Sequence, residues 1–233
     1  MAFLVLATGV LQQAGFVRSG PYLVRGGTLA IEGARANSTV FIDNRRIGTI
    51  DEDGSRKFNA IKPGIRNVIV SHPDAWPWTF TFESIPSETR TLRPLQVTQE
   101  SRIIAVENQS SSTYQRAVAL LDGYREPVRS QPLEREDYRV WIEGTTVFVQ
   151  KNDEVYSVFS SIHPIRNMSW YGARADTLIL AVHNDVFALD IRTNEVQNFQ
   201  PIYSCVAPEA VVDSGNAATL LLRDEGQYFS ITL

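Results

Sequence analysis

The chain has 233 residues, of which 43% are hydrophobic, and its formal net charge is −4 at pH 7. Such a composition is ordinary for one or two globular domains. The mild acidity argues against a nucleic-acid partner, which would require a basic face. The one cysteine, Cys205, excludes an internal disulfide and has no neighbouring ligands for a metal site. It follows an apolar run, which predicts a buried thiol.

The first 20 residues form an apolar segment without charge before Arg18. Its apolar part spans about ten residues, whereas a membrane-spanning helix needs roughly 20. No basic residues precede it, and no small-residue cleavage site ends it. Taken alone, the segment therefore predicts an initial strand or a frayed terminus.

Residues 21–98 consist of short apolar runs that are rich in β-branched and aromatic residues. Glycine, proline, asparagine and aspartate interrupt these runs at close intervals, which is typical of small antiparallel strands joined by tight turns. The dipeptide Asp43-Asn44 predicts a hairpin turn, because Asn tolerates positive φ. A second turn is predicted at Lys62-Pro63-Gly64.

The order of these elements resembles the PEGA domain, a small β-sandwich of bacterial and archaeal surface proteins. A strand at 28–31 leads through Glu32-Gly33-Ala34 to a second strand ending at Asp43-Asn44, and a later strand closes in Trp76-Pro77-Trp78. Two departures alter the first turn. Ile31 stands where the Pro-Glu-Gly-Ala step has its proline, and extra residues separate Ala34 from Val40.

The resemblance also changes the interpretation of the N-terminus. Members of this family often carry one membrane helix just ahead of the domain, and residues 1–20 resemble the end of such a helix. The resemblance therefore implies a cell-membrane protein with a single N-terminal anchor remnant and an extracytoplasmic globular part. Residues 21–98 would then form the PEGA-like sandwich.

Residues 99–136 are predicted to be a connector with loops. The polar run from Glu107 to Thr113 marks a loop or boundary. Within the connector, Arg116–Leu121 is the place where a helical turn competes with a strand. The charged, proline-bearing stretch from Glu126 to Glu136 predicts a surface loop.

Residues 137–233 contain a repeated pattern of short strands and turns. Aligning Phe148, Phe187 and Phe229 gives offsets of 39 and 42 residues. A period of about 40 residues with four short strands is typical of a β-propeller blade. Ile165–Tyr171 and Pro208–Val212 are predicted as innermost strands of successive blades. The motifs of the WD and kelch types are absent, so period and strand order carry this interpretation.

The repeats are too few for a closed ring, since a propeller closes with about four to eight blades. Two to three blade-like repeats can be counted, and the last ends at Leu233 without its outer strand. An open stack exposes sheet edges and an apolar flank, which predicts self-association. The predicted fold is all-β: a small N-terminal PEGA-like β-sandwich followed by these blade-like antiparallel repeats.

No residue pattern predicts a reaction, a cofactor or a metal. The three histidines lack the spacing of zinc ligands, and the paired acidic residues lie in turn or loop composition, where solvated charge is the default. No nucleophile elbow and no glycine-rich phosphate loop ahead of a helix is found. The histidines are His72, His163 and His183. The acidic groups are Asp51/Asp53 and Glu134/Glu136/Asp137.

Four residues are candidates for contact with a ligand or partner. Trp76 and Trp78 share a face if the strand is extended, and they either fill the core of a small domain or stack on a sugar or a partner. The core is the favoured interpretation. Arg45 and Arg46 are predicted in the hairpin turn, where they are solvated or contact an acidic wall polymer or a lipid headgroup.

These observations favour a non-catalytic, membrane-tethered cell-surface protein whose β modules bind a cell-wall polymer, a glycan or another protein. One alternative is an extracytoplasmic hydrolase with its site on the loops of the repeat region. Another is a purely structural spacer, which the sequence does not separate from a binding protein.

Overall fold

The computed structural model describes residues 15–19, 21–122, 131–192 and 196–233. The fold is mostly β, with 58% of residues in strands. Within the described residues there are six sheets, none of them closed, and one helix. The all-β prediction is therefore confirmed. The chain divides into two compact units, residues 1–96 with 194–196 and residues 97–193 with 197–233.

Unit 1 contains nine strands in its described part. Most are only four to six residues long, and two are longer. Their bounds are β1 Phe16–Ser19, β2 Tyr22–Arg25, β3 Gly27–Ile31, β4 Thr39–Ile42, β5 Arg45–Thr49, β6 Arg56–Ile61, β7 Gly64–His72, β8 Ala75–Ser84 and β9 Thr89–Leu92.

The strands of unit 1 form a hairpin and two larger sheets. Strands β1 and β2 pair only with each other, β6-β3-β9 form a three-stranded sheet, and β5-β4-β7-β8 form a four-stranded sheet. The pairing of β3 with β9 is parallel, while β3 pairs with β6 in the antiparallel sense. Apolar residues of both sheets are buried, including Leu29, Ile31, Val40, Val70 and Trp78. Alternating burial along the strands produces this core.

The predicted Asp43-Asn44 turn is confirmed. Both residues have positive φ, 49° and 64°, and they join β4 to β5 with Ile42 opposite Arg45. Positive φ at both central residues gives a turn whose twist matches that of the flanking strands. The local sequence thus sets the register of this hairpin.

Gly27 begins β3 at a point where the backbone is crowded. A Cβ atom at this position would lie 2.7 Å from the carbonyl oxygen of Ile85 and 2.6 Å from Oγ of Ser84. Only glycine allows so close an approach. The requirement is steric and comes from chain segments about 57 residues away in sequence.

Of the predicted N-terminal anchor remnant, residues 1–14 and residue 20 lie outside the described part of the chain. Its last residues enter β1, which pairs with β2. Among the residues that the structure describes, no helix has both the length and the apolar character needed to cross a membrane.

Unit 2 contains twelve strands and one helix in its described part. Their bounds are β10 Ile103–Ala105, α1 Ser112–Asp122, β11 Leu133–Arg135, β12 Tyr138–Glu143, β13 Thr146–Lys151, β14 Glu154–Ser160, β15 Ile165–Trp170, β16 Thr177–Val182, β17 Asp185–Asp190, β18 Phe199–Ser204, β19 Glu209–Asp213, β20 Asn216–Asp224 and β21 Gln227–Thr232.

These strands form three four-stranded antiparallel sheets, named here in chain order. Repeat sheet 1 is β11-β12-β13-β14, repeat sheet 2 is β15-β16-β17-β18, and repeat sheet 3 is β19-β20-β21-β10. The aligned residues Phe148, Phe187 and Phe229 each occupy the third position of the third strand of their sheet. The sequence alignment therefore matched structurally equivalent positions.

Repeat sheet 3 takes its fourth strand from a segment that precedes the repeat region in the chain. Strand β10 pairs with β21, with Ile103 opposite Ile231 and Ala105 opposite Phe229. The expectation that the last repeat lacks an outer strand is thus wrong. The strand was missed because it lies in the predicted connector, more than 100 residues from its partner in sequence.

Repeat sheet 2 is packed on both faces. Every residue of β16 is buried, and only Asp185 of β17 is exposed. Its core with repeat sheet 1 includes Val140, Val149, Leu178 and Leu180. On its other side, β15 and β16 contact β19 of repeat sheet 3. A strand buried on both faces must be apolar at successive positions, which explains the run Leu178-Ile-Leu-Ala-Val182.

Helix α1 covers the face of repeat sheet 3 that points away from repeat sheet 2. Ser111 caps the helix, since its Oγ accepts a hydrogen bond of 3.1 Å from the backbone N of Tyr114. Ala117 and Leu121 pack on Val211 and Leu221. The segment Arg116–Leu121, for which the sequence left helix and strand open, is therefore helical. Its apolar residues Ala117 and Leu121 form one face of the helix, and that face packs on a sheet.

Two arginines bind two carboxylates beside the core between repeat sheets 1 and 2. Arg174 Nε lies 2.9 Å from Asp176 Oδ1, and Arg192 Nη1 lies 3.4 Å from Asp176 Oδ2. Arg192 also donates to Asp190, whose side chain is almost fully buried. Burial alone would raise the pKa of Asp176, but the charges of Arg174 and Arg192 outweigh it and lower that pKa.

We predict that Asp176→Asn lowers the free energy of unfolding by about 2 kcal/mol at pH 7, because charge-assisted hydrogen bonds are lost. The folded-state pKa of Asp176 lies below its unfolded value, so its contribution is present above the unfolded pKa. The difference between wild type and variant should therefore shrink as pH falls below about 4. Urea titrations at several pH values measure it. Asp153→Asn, at an exposed turn, should show no such difference.

Candidate functional site

The two predicted tryptophans occupy different environments. Trp78 is 0% exposed, and its ring stacks on Phe80 with a centroid distance of 5.5 Å. Trp76 is half-buried. The pairing of β7 with β8 shifts register between Val70 and His72, so the alternation of faces is interrupted before Trp78. The shared face was expected for a regularly extended strand, and that condition is not met at this register shift.

Arg45 and Arg46 lie at the start of β5, directly after the turn rather than within it. They pair with Ile42 and Phe41 across the hairpin, and both are exposed. Neither forms an ion pair with another described residue. Strand β5 is an edge strand of its sheet, so both guanidinium groups are accessible from solvent. Neither arginine lines the pocket described below.

The structure places two of the three histidines against each other. The rings of His163 and His183 stack with a centroid distance of 4.0 Å and an interplanar angle of 11°. This contact follows from the pairing of β15 with β16, which sets Ile165 opposite Val182. Among the described residues, no group of three or more His, Cys, Asp or Glu side chains could hold a metal ion.

Cys205 is partly buried rather than fully buried, which corrects the prediction from sequence. Burial, followed by the nearby carboxylate of Asp224, raises the pKa of its thiol to about 12. The thiol is therefore protonated near neutral pH, and the thiolate required of a nucleophile is not populated.

A pocket of about 250 Å³ lies on repeat sheet 3, beside the N-terminal end of α1. It is bounded by the residues that follow β10, by the first turn of the helix, and by the hairpin between β20 and β21. Its lining is mixed aromatic, amide and carboxylate. The lining residues are Ala105, Val106, Glu107, Gln109, Tyr114, Gly226, Gln227, Tyr228 and Phe229.

Local hydrogen bonds fix one wall of this pocket. The backbone N of Val106 donates to the carbonyl oxygen of Tyr228 at 2.8 Å, which extends the β10–β21 pairing by one residue. Asn108 Oδ1 then accepts from the backbone N of Ser110 at 3.0 Å, forming a turn into the cap of α1. The polar run predicted as a loop thus becomes an ordered rim that carries Glu107 and Gln109.

The opposite wall is fixed by the hairpin and an aromatic pair. Glu225 and Gly226 both have positive φ, 46° and 82°, as a two-residue hairpin turn requires. The rings of Tyr114 and Tyr228 meet edge to face, with a centroid distance of 5.1 Å and an angle of 68°. This arrangement is favourable for aromatic rings and holds Tyr114 in place.

The charges near the pocket leave it neutral to acidic. Arg223, which is hydrogen-bonded to the lining residue Tyr228, donates to Glu209 and, at 2.7 Å, to Asp122. Burial opposes the charge of Arg223, but its bonds to Glu209, Tyr228 and Asp122 raise its pKa. Two carboxylates neutralise this guanidinium. Among the lining residues, the charged side chain is that of Glu107. The pocket suits a neutral or cationic group rather than an anion.

The lining offers the chemistry of polyhydroxyl recognition. The carboxylate of Glu107 accepts hydrogen bonds, the amides of Gln109 and Gln227 both donate and accept, and the tyrosine rings present apolar surface. Ligand pockets of roughly 300–1,000 Å³ hold drug-sized molecules, so a pocket of about 250 Å³ fits one ring-sized group.

Analysis of the sequence missed this pocket. Its lining comes from residues 105–114 and 226–229, which are far apart in the chain and carry no motif. The available signals were the polar run before a helical segment and the Glu-Gly hairpin turn. Each of them predicts a turn, but neither predicts that the two segments lie side by side. No family model matches the chain, and no curated protein matches it significantly.

Proposed function

We propose that this protein is a non-catalytic, membrane-tethered cell-surface protein that binds a glycan. The observation that carries the proposal is the pocket of about 250 Å³, with its two tyrosine rings, two amides and one carboxylate. These groups match the alternating apolar and hydroxyl surfaces of a sugar ring. The tether would be the apolar N-terminal segment, which is uncharged up to Val17.

The arrangement of unit 1 supports a PEGA-like module. A three-stranded and a four-stranded sheet, with apolar residues buried on both, are what a small sandwich requires. The confirmed turn at Asp43-Asn44 falls where the resemblance placed one. In the chain, such a module would lie between the proposed tether and the repeat region.

The arrangement of unit 2 supports blade-like repeats. Each sheet is four-stranded and antiparallel with an equivalent phenylalanine in its third strand, and repeat sheets 1 and 2 are simple meanders. In the proposed architecture, β10 joins the segment before the repeats to the last repeat. This pairing also creates the pocket wall, so the binding site would depend on the repeat region being assembled.

A glycan is favoured over a protein ligand because the pocket is small and concave. Protein partners that form stable complexes bury about 800 Å² per side on broad, shallow surfaces. A ring-sized pocket with three polar side chains instead suits the end of a sugar chain. Its mild acidity favours neutral or amine-bearing sugars over uronic acids or phosphorylated wall polymers.

We predict that the full chain binds neutral or amine-bearing glycans on an array and that Glu107→Gln weakens binding about tenfold. Loss of a charged hydrogen-bond acceptor accounts for an effect of this size. Gln109→Ala should weaken binding by a similar factor. Both residues are exposed, so neither variant should lower the unfolding temperature. Isothermal titration calorimetry measures the affinities.

The matched control is Tyr22→Ala, a 72% exposed residue of the β1–β2 hairpin in unit 1, which should bind like the wild type. Absence of glycan binding by the wild-type protein would overturn the proposal. Equal affinity of wild type and both pocket variants would also overturn it, because the ligand would then lie elsewhere.

A further inference from the structure

The outer face of repeat sheet 1 differs from every other face of the repeat sheets. Repeat sheet 2 is covered on both sides, and α1 covers the far side of repeat sheet 3. The inner face of repeat sheet 1, which includes Tyr138, Val140 and Val149, packs on repeat sheet 2. On the opposite face, Arg139, Glu143 and Val155 are exposed. That opposite face is called the outer face below.

The outer face presents apolar side chains at its centre. Trp141 of β12 and Phe148 of β13 are paired across the strands, and their rings stack with a centroid distance of 5.8 Å and an angle of 19°. Val155 of β14 lies on the same face and is 56% exposed. Trp141 and Phe148 are each partly exposed. A row of two aromatic rings and a valine on an uncovered sheet face is typical of an interface.

The polar groups on this face determine which occupant fits. Arg139 and Glu143 lie on β12 at equal distances on either side of Trp141, two residues away in each direction. At about 3.4 Å per residue, each lies about 7 Å from Trp141 along the strand. Trp141 Nε1 donates to Glu143 Oε1 at 2.7 Å, which fixes the indole orientation.

This order of positive, aromatic and negative groups is self-complementary. In a two-fold contact whose axis is perpendicular to the strand, the strand meets its own copy in the opposite direction, so residue 139 of one copy faces residue 143 of the other. With the axis through Trp141, two Arg139–Glu143 pairs would flank a core of tryptophan and phenylalanine rings. Strand β13 adds only uncharged residues, Thr146, Phe148 and Gln150, on this face. Strand β11 adds Glu134, which lies opposite Arg139 and 3.5 Å from its Nε, so in the dimer Arg139 would lie between Glu134 and the second copy's Glu143.

We propose that the outer face of repeat sheet 1 binds the same face of a second copy of this chain, giving a two-fold dimer. The contact continues the sheet-on-sheet packing that already joins the three repeat sheets within the chain. Aligned sheets pack about 10 Å apart, which lets the two rows of aromatic rings interdigitate. The dimer contact uses the sheet face, whereas the sequence predicted association through sheet edges.

The proposal is tested with the full chain by sedimentation equilibrium over a range of concentrations. The wild type should be a dimer at micromolar concentration. Trp141→Ala should raise the dimer dissociation constant about a hundredfold, as loss of a central aromatic residue does. Arg139→Glu and Glu143→Arg should each raise it about tenfold. In a Glu134→Gln background, which removes the like charge beside position 139, the double variant that exchanges the two charges should recover most of the affinity of that background.

Recovery by the charge exchange separates a specific contact from general destabilisation, since a misfolded variant would not be rescued. Ile162→Ser is the control, because this residue is 93% exposed in unit 2 but outside the outer face. Glu107→Gln should leave dimerisation unchanged, which separates this proposal from the glycan pocket. A wild type that stays monomeric, or charge variants that dimerise normally, would overturn the proposal. Loss of glycan binding in a monomeric Trp141→Ala protein would reassign the face to a ligand.

Discussion

Replacing Trp78 with alanine is expected to lower the free energy of unfolding by about 3–5 kcal/mol. The side chain is fully buried and is one of the largest in the core of unit 1. Its removal loses the transfer free energy of the indole and leaves a cavity that a close-packed sheet cannot fill. The stacking contact with Phe80 is lost as well. Urea denaturation followed by circular dichroism measures the change.

Trp76→Ala provides the matched control two residues away. Because Trp76 is half-buried, its removal should cost less than half as much stability as the removal of Trp78. Equal losses for both variants would contradict the assigned register of β8. Unchanged stability of Trp78→Ala would show that this tryptophan is not a core residue.

Replacing Asn167 with aspartate is expected to lower stability by about 3–5 kcal/mol at pH 7. Asn167 is 1% exposed and joins repeat sheet 2 to repeat sheet 3. Its Nδ2 donates to the carbonyl oxygen of Ala210, and its Oδ1 accepts from the backbone N of Ala210 at 3.0 Å. Aspartate keeps the acceptor but removes the donor and places a charge between two packed sheets.

The pH dependence of this variant gives an independent check. Burial raises the folded-state pKa of the new carboxyl above its unfolded value of about 3.9. The loss of stability is therefore complete above the folded pKa and disappears as pH falls toward the unfolded value. The protonated acid can also donate to Ala210. Thermal unfolding of wild type and variant between pH 4 and pH 7 would reveal this narrowing difference.

Asn216→Asp is the control for the same chemical change. Asn216 is exposed, and its side-chain oxygen accepts from the backbone N of Ala218, a role that a carboxylate fulfils equally well. Its stability should match that of the wild type at both ends of the pH range. A pH-independent loss in Asn167→Asp would mean that the carboxylate reaches solvent and that the two sheets separate there.

The proposed pocket and the proposed dimer interface occupy different sheets of the repeat region. The pocket lies on repeat sheet 3 beside α1, and the interface lies on the outer face of repeat sheet 1. A dimer would therefore carry two free pockets. On a polymeric ligand, two linked sites bind more tightly than either alone, without any additional contact in the pocket.

The sequence by itself determined the class of fold and the positions of many turns. Short runs of β-branched and aromatic residues, interrupted by turn residues, predicted the strands. This works because strand propensity and turn propensity both depend on residues that are adjacent in the chain. The spacing of Phe148, Phe187 and Phe229 identified equivalent third strands, because each repeat uses the same local pattern of pleat and turn.

Only the tertiary structure decided which distant segments meet. The pairing of β10 with β21, the stacking of His163 on His183 and the pocket beside Tyr114 all join residues whose contact leaves no local mark in the sequence. The register shift in β8 likewise separated Trp76 from Trp78, although regular alternation predicted a shared face. Local propensity selects strands and turns, whereas burial summed over the whole unit selects their partners.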